Sequence, residues 1–315
     1  MAKRIVVVGS SNTDMILQTE RIPRPGETIL GGEFVTAAGG KGANQAVAAA
    51  KAGGDVAFVA KVGDDSFGQQ AIAGFVEHGI NVQHVSRDTT AASGVALIFV
   101  ADDGENSIGV ASGANAQLTP EDVEAAEETL GRAGVVVAQL ETPLPSVTRA
   151  AELAASSGAA MILNPAPAQP LPDLLLQQVT VLTPNETEAE LLTGQPVNDA
   201  ASAAEAARKL RSKGVAIVIV TLGANGCVVA DEEGTRHVQA FRVSPVDSTA
   251  AGDVFNGALA VALAEEQPIA TAVRFASAAA ALSTTVLGAQ PSAPDRSSIE
   301  EHLANTEAGA DHAID

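Results

Sequence analysis

Short aliphatic runs recur along the chain with scarcely a polar position inside them: Val6-Val7-Val8, Val56-Ala57-Phe58-Val59, Val135-Val136-Val137, Met161-Ile162-Leu163, Val179-Thr180-Val181-Leu182 and Ile217-Val218-Ile219-Val220. A strand with no polar face has to be covered on both sides, as in a parallel sheet between two helical layers. Stretches with helical periodicity separate these runs, at about 41–52, 66–78, 143–157, 186–193, 199–213, 251–265 and 268–285. Repeated β-α-β units with short loops predict an α/β fold: a doubly wound, mostly parallel central sheet flanked by helices. Ligands of such sheets sit at the carboxyl ends of the strands. Polar residues follow the runs at those ends: Asn12 and Asp14, Glu141, Asn164, Asn185, and Thr221-Leu222-Gly223.

Two segments break the alternation. Residues 15–37 and 93–111 read as strands and turns, with Pro23, Pro25-Gly26 and Asp102-Asp103-Gly104 as turn signals. Val95-Ala96-Leu97-Ile98-Phe99-Val100 is apolar on both faces, so a small sheet containing it needs two covers. The expectation is a β-sheet lid with substrate on one side and a second copy of the chain on the other. The chain then divides into an α/β core of residues 1–14, 38–92 and 112–305, the lid, and an acidic tail from 306 to 315.

A length of 315 residues, 46% of them hydrophobic, suffices for one large domain with a small appendage. Against 38 Asp and Glu there are 18 Lys and Arg, a formal charge of −20, which argues against nucleic acid as a partner. That acidity, with lysine scarce beside arginine, suits a protein kept hydrated in concentrated salt. No apolar run is long enough to span a bilayer, and the start runs straight into a strand with no secretory signal. A single cysteine, Cys227, excludes an intrachain disulfide framework and fits a cytoplasmic location; its neighbours Val228 and Val229 mark it as a core thiol.

Two glycine-containing stretches carry candidate chemistry. Gly39-Gly40-Lys41-Gly42-Ala43-Asn44 looks like a phosphate loop, but that motif needs longer glycine spacing and a Ser or Thr after the lysine. Its glycines allow close backbone approach to a polar ligand, and Asn44 offers both a donor and an acceptor, as a polyhydroxylated ligand requires. Asp247-Ser248-Thr249-Ala250-Ala251-Gly252-Asp253 opens onto an Ala- and Leu-rich helix. The helix start can hold an anion, and Asp253 in its first turn can take a proton from a hydroxyl facing that anion. The plainer reading of Asp253 is an acid where the helix dipole favours acids anyway.

Taken together the motifs resemble the ribokinase (PfkB-type) family of carbohydrate and nucleoside kinases. The resemblance runs in order through Gly9-Ser10-Ser11-Asn12-Thr13-Asp14, Pro25-Gly26-Glu27-Thr28, Gly39 to Ala46, Gly113-Ala114-Asn115, Asn164-Pro165-Ala166-Pro167-Ala168, Thr183-Pro184-Asn185-Glu186-Thr187-Glu188, Thr221-Leu222-Gly223, the 247–257 stretch and Gly288-Ala289-Gln290-Pro291-Ser292. The Asn-Pro-Ala-Pro-Ala run points to its ribose-phosphorylating members.

The resemblance implies ATP-dependent phosphorylation of D-ribose at O5. Asn12, Asp14, Gly40, Lys41, Gly42, Asn44 and Glu141 would bind the sugar. Asp253 would be the general base, and the N–H groups of Ala250, Ala251 and Gly252 the anion hole. ATP would meet Asn185, Glu188, Thr221, Leu222, Gly223, Ala224, Asn225, Gly226, Gly252 and Ser277, with Mg2+ placed through Asn185 and Glu188. A potassium ion would lie among Asp247, Thr249, Ser283, Val286, Gly288 and Ser292. Asn185 also reads as a simple helix cap, and Glu188 as a surface acid. Two departures stand out: Ala250-Ala251 replaces the Gly-Ala of many members, and Val254 a common threonine. Other sugar or nucleoside kinases (deoxyribokinase, fructokinase, adenosine kinase) and a non-catalytic sugar-binding regulator remain alternatives. A nicotinamide dehydrogenase does not, because no Gly-x-Gly-x-x-Gly follows the first strand.

Overall fold

A computed structural model describes residues 3–306 and the backbone of 312–313. Along the chain come β1 (Arg4–Val8), β2 (Asn12–Thr19), β3 (Glu33–Gly39), α1 (Lys41–Lys51), β4 (Val56–Gly63), α2 (Ser66–Glu77) and β5 (Asn81–Asp88). Next are β6 (Gly94–Ala101), β7 (Asn106–Ala111), α3 (Pro120–Glu124), α4 (Glu127–Leu130), β8 (Ala133–Ala138), α5 (Leu144–Ser157) and β9 (Ala160–Leu163). Then follow α6 (Asp173–Leu176), β10 (Val181–Leu182), α7 (Glu186–Thr193), α8 (Ala200–Ser212), β11 (Ile217–Thr221), β12 (Cys227–Asp231) and β13 (Gly234–Val238). The chain closes with α9 (Ala251–Ala264), α10 (Ile269–Ser283), α11 (Arg296–Asn305) and β14 (His312–Ala313).

The large sheet has the order β14-β13-β12-β11-β10-β9-β8-β1-β4-β5. Its strands are parallel from β11 through to β5, and β12, β13 and β14 extend the other edge antiparallel. Alternate residues of β1 enter opposite cores: Ile5 and Val7 join α1, α9 and α10, while Val6 and Val8 join α5 and α8. Two-sided burial is why these strands lack polar positions. Local chemistry sets helix limits. Asp65 caps α2 by accepting the Gly68 N–H, Asp199 closes a capping box on α8, and Gly158 and Gly194 end α5 and α7 in the left-handed conformation.

The expected architecture is present, with instructive differences. The run 179–182 forms a strand only at Val181–Leu182: the Val179 N–H donates to the Leu176 carbonyl at 3.2 Å in the turn after α6, and the Met161 N–H goes to the Thr180 hydroxyl. β5 is half-buried at the sheet edge and β13 largely so, and neither carries an apolar run. The four-residue helices α4 and α6 are too short to show a period, and α11 buries only Ile299. Cys227 is buried on β12, as expected of a core thiol. The tail lies almost wholly outside the described residues; within it β14 pairs with β13.

Helices α1 and α9 approach unusually closely. A Cβ at Gly257 would stand 2.7 Å from the Gln45 carbonyl oxygen and 2.8 Å from the Ala49 nitrogen. This contact brings residues 44–45 of α1 against Asp253, one turn before Gly257 on α9.

The separate four-stranded sheet has the order β3-β2-β6-β7. Paired residues share a face, so Asp14, Ile16, Val35, Ile98, Ile108 and Val110 lie on one side and Phe34, Leu97 and Phe99 on the other. Apolar side chains are exposed on both sides: Val35, Ile108 and Val110 on the first, Phe34 and Leu97 on the second.

Candidate active site

Polar side chains follow β1, β8, β9, β10 and β11 at their carboxyl ends, and hydrogen bonds link them across the sheet. Asp253, in the first turn of α9, is the best enclosed acid of this crevice, only 5% exposed. Its Oδ2 accepts from Asn44 Nδ2 at 3.0 Å and its Oδ1 from Gln45 Nε2 at 2.9 Å. Burial pushes its carboxyl up, while the Lys41 charge and these two amides work the other way. A buried acid held ready but costly to ionise fits a proton acceptor.

Around it lie three more charges. Burial pulls the Lys41 ammonium down, but Asp253, Glu141 and Glu188 together outweigh that and raise it, so Lys41 stays charged. Glu141 Oε2 accepts the Ser10 hydroxyl at 2.5 Å and the Lys41 N–H at 2.9 Å, at the start of α1. Burial pushes Glu188 up against the Asn185 N–H and the Lys41 charge.

Asp14 and Asn12 project from the base of the small sheet. Asn12 Oδ1 accepts from Asn115 Nδ2 at 2.7 Å, and Asn115 Oδ1 accepts the Ser11 N–H at 2.8 Å, so Asn115 fixes Asn12. Burial, and then the charge of Glu141, push the Asp14 carboxyl up to about 6.

The glycines at 40 and 42 sit against neighbouring backbone. A Cβ at Gly40 would meet the Asn12 nitrogen at 2.7 Å, and one at Gly42 would meet the Ser10 nitrogen at 2.5 Å. Their bareness lets the start of α1 pack against the chain's own β1–β2 turn. Gly40 also has φ 88°, which a side chain rarely adopts.

On the other side of Asp253, Asn185 and Glu188 form a reciprocal capping box on α7. Asn185 Oδ1 accepts the Glu188 N–H at 2.8 Å, and Glu188 Oε2 accepts the Asn185 N–H at 2.9 Å. Asn185 Nδ2 also donates to Glu188 Oε1 at 3.1 Å. The cap reading is therefore correct, and it fixes an acid that faces Lys41 and Asp253 in the crevice, not the surface. Asn185 bridges to Thr221, which begins the tight turn through Gly223 and Gly226 into β12. Leu222 is buried in the core, so it can offer a nucleotide only backbone, whereas Gly223, Ala224 and Asn225 are exposed. Ser277 lies partly exposed on α10.

The helix start at 250–252 has an open face. Nothing lies within 4 Å of where a Gly252 Cβ would stand. Ala250 has φ 59°, the left-handed conformation that glycine takes without strain. The Ala251 N–H donates to the Ser248 carbonyl at 3.2 Å, a long bond that an anion has to replace to engage this group. The Gly252 carbonyl is held by Asn256 Nδ2 at 2.8 Å.

The six positions matched to a potassium site lie in the loop before α9 and from the end of α10 through the turns after it, and Asp247 ties the two stretches together. They supply hydroxyl and carbonyl oxygens: Ser283 and Ser292 are buried, and Val286 and Gly288 lie in the turn after α10. Such a set fits a hard monovalent cation. For magnesium, the mutual hydrogen bonds of Asn185 and Glu188 leave water-mediated contact as the natural mode, since Mg2+ keeps much of its hydration. Among the described residues no group of three or more His, Cys, Asp or Glu could hold a metal directly.

Several residues here had no assigned role from sequence: Ser10, Gln45, Asn115, Gln139, Thr183 and Asn256. Ser10, Gln139 and Thr183 could have been found by their place just past or at strand ends, and Asn256 by its spacing of three from Asp253. Gln45 gave no signal beyond its place in the 39–46 motif.

The fold and crevice together define a class: an α/β protein with a buried acid over an open helix start, facing an amide-rich polar pocket. The chain belongs to the pfkB family of carbohydrate kinases, whose model matches residues 2–296. It is 45% identical over 303 residues to a ribokinase of Haemophilus influenzae, covering 96% of this chain and 99% of that one. It is also 40% identical over 304 residues to a deoxyribokinase of Salmonella typhi, again 96% and 99%. The structure of an Arabidopsis thaliana ribokinase complexed with ribose and ATP superimposes with a TM-score of 0.91, at 36% identity, covering 97% of this chain and 100% of that one.

Proposed function

We propose that this kinase transfers the γ-phosphoryl group of ATP to O5 of D-ribose, giving ribose 5-phosphate and ADP. The observation that carries the reading is Asp253, buried and held by two amides beside the open face at Gly252. The primary hydroxyl of ribose gives its proton to Asp253 as O5 bonds to phosphorus. The bond from phosphorus to the bridging oxygen breaks, and that oxygen leaves with ADP. The backbone N–H groups of Ala250, Ala251 and Gly252 meet charge developing on the transferring group.

The buried Asn44 Oδ1 lacks a protein partner, so it is free to accept from a sugar hydroxyl. Asn12, Asp14, Lys41 and Glu141 complete the polar lining; Gly40 and Gly42 shape it from behind. ATP runs from Gly252 past Asn185 and Glu188 to the Thr221–Gly226 turn, with Ser277 on the adenine side. Magnesium, bound with ATP, neutralises phosphate charge, and Glu188 and Asn185 would hold it through water. Potassium would sit among Asp247, Thr249, Ser283, Val286, Gly288 and Ser292 and steady the loop that carries Ala250.

The small sheet acts as the lid. A ribose covers only part of one face, and the remaining exposed apolar side chains fit a second copy of the chain. Light scattering should report a dimer, and Leu97→Glu combined with Ile108→Glu should yield monomers. A single cysteine supports a cytoplasmic location, and among the described residues no helix is long and apolar enough to cross a membrane.

The 40% identity to a deoxyribokinase makes 2-deoxyribose the second candidate acceptor. Both readings are tested by ADP release over ribose, 2-deoxyribose, fructose and adenosine, with and without potassium. Ribose should show the highest kcat/KM; a higher value for any other acceptor overturns the assignment. Asp253→Asn should lower kcat about a thousandfold while sugar binding persists.

A further inference from the structure

Gln45 lies fully buried beneath Asp253, and both ends of its amide are engaged by protein groups. Its Nε2 carries two N–H groups: one reaches Asp253 Oδ1 at 2.9 Å, the other Asn164 Oδ1 at 3.2 Å. Its Oε1 accepts from Gln139 Nε2 at 2.6 Å. With no exposed surface, it offers a substrate nothing to touch. The neighbouring Asn44 differs, since its Oδ1 has no protein partner.

The orientation of the Gln45 amide is dictated. A carboxylate offers only acceptors, so the NH2 end must face Asp253 and the carbonyl must face away. Gln139 locks that choice by donating from behind, and it is fully buried itself. Asn164 is anchored in turn by donating to the Thr183 carbonyl at 3.1 Å. Thr183 donates its hydroxyl to Asn256 Oδ1 at 2.7 Å, and Asn256 holds the Gly252 carbonyl. One chain of neutral groups thus runs beneath the site from Gln139 to the proposed anion hole.

We propose that Gln45 is a positioning residue for the reaction: braced by Gln139 and Asn164, it grips Oδ1 of Asp253 and keeps the carboxylate anionic and aimed at the acceptor hydroxyl. This rests on the reading of Asp253 as the base. The other charges acting on Asp253 come from Lys41 on α1, Glu141 after β8 and Glu188 on α7. A change at Gln45 leaves all three in place, so a displaced pH profile reports the lost hydrogen bond.

The test is the pH dependence of kcat at saturating ribose and ATP for wild type, Gln45→Met and Gln45→Glu. Met keeps the volume and loses the donor, so the acid limb should move about one pH unit higher. Glu sets a second acid against Asp253, and the limb should move further up in the same direction. The KM for ribose should stay within about twofold, because Gln45 makes no contact available to sugar. A merely structural role would lower thermal stability and kcat evenly across pH, and an unmoved limb in a folded variant overturns the proposal. Should Gln45→Met not fold, the nearly isosteric Gln45→Glu carries the test alone. Asp253→Asn separates the two claims: if it keeps wild-type kcat the base assignment itself is wrong, whereas a dead Asp253→Asn with unmoved Gln45 limbs rejects only the positioning role.

Discussion

Asp247 and Gly288 lie 41 positions apart in the chain and are joined by a 2.8 Å hydrogen bond from the Gly288 N–H to Asp247 Oδ2. The other oxygen, Oδ1, accepts the Thr249 N–H at 2.9 Å. Burial opposes ionisation of Asp247, but the hydroxyl of Thr249 and these N–H groups hold its carboxyl below the usual range. One carboxylate thereby binds the loop before α9 to the turn after α10.

Asp247→Ala should loosen that tie and the loop carrying Ala250. Loss of hydrogen bonds to a charged group predicts a fall in kcat of about tenfold or more and a flattened response to potassium, with ribose binding unchanged. Turnover measured against KCl and NaCl gives the answer; a variant with wild-type kcat and potassium response would refute it.

Ala250 and Gly252 should separate stability from activity. Ala250→Gly relieves a left-handed alanine at φ 59° and should stabilise the protein by about 1 kcal/mol in urea unfolding. Gly252→Ala meets no protein atom and suits a helix, so stability should hold. Its methyl group would stand where the phosphoryl group has to pass, and kcat should drop on the order of 100-fold. Equal losses of stability and activity in Gly252→Ala would contradict this.

Asp14 couples folding to pH. Its carboxyl titrates at about 6 when folded against 3.8 as the ordinary value. The folded state therefore holds the extra proton between these values, and sugar-free protein should lose stability as pH rises through that window. Below pH 4 the contribution is fully present, and above about 6 the loss is complete. Asp14→Asn should remove this slope from the melting temperature while raising KM for ribose. In the wild type, KM for ribose should rise as pH drops below about 6, where the acceptor carboxylate is protonated. A slope unchanged in Asp14→Asn would rule out this source.

Gly257 spaces the two helices that meet under the base. A methyl group there collides with the α1 backbone at Gln45 and Ala49, so Gly257→Ala should destabilise by about 1–3 kcal/mol. It should also lower kcat beyond what the folded fraction explains, since the same push moves Gln45 from Asp253. Chemical unfolding and kcat measured together decide the matter.

Much of this was legible in the residue pattern. Strands buried on two faces announce themselves, and the longer helices from α1 to α10 follow from apolar spacing and capping residues such as Asp65 and Asn185. Asp253 stood out because an acid beside small residues at a helix start is chemically loaded. What could not be read was partnership at a distance. Gln45 and Gln139 lie 94 positions apart, and Asn44 and Asp253 209. No local rule states that two amides will share an acid's two oxygens. Gly40 and Gly42 were ambiguous for a related reason. A bare Cα signals close approach, but the sequence does not say whether a ligand or the chain's own backbone is approaching. The 113–115 turn likewise gave no hint that Asn115 clamps Asn12.

The chain of amides from Gln139 to Asn256 has a consequence for how the site can change over time. From Gln45 to Asn256 each member gives donors and acceptors to its neighbours, so single replacements beneath Asp253 leave a buried group stranded. Val35, Ile108 and Val110, exposed on the Asp14 face of the small sheet, have no such network to break. Drift toward another acceptor sugar is therefore easiest through β3 and β7, above a floor that can be rebuilt only several residues at once.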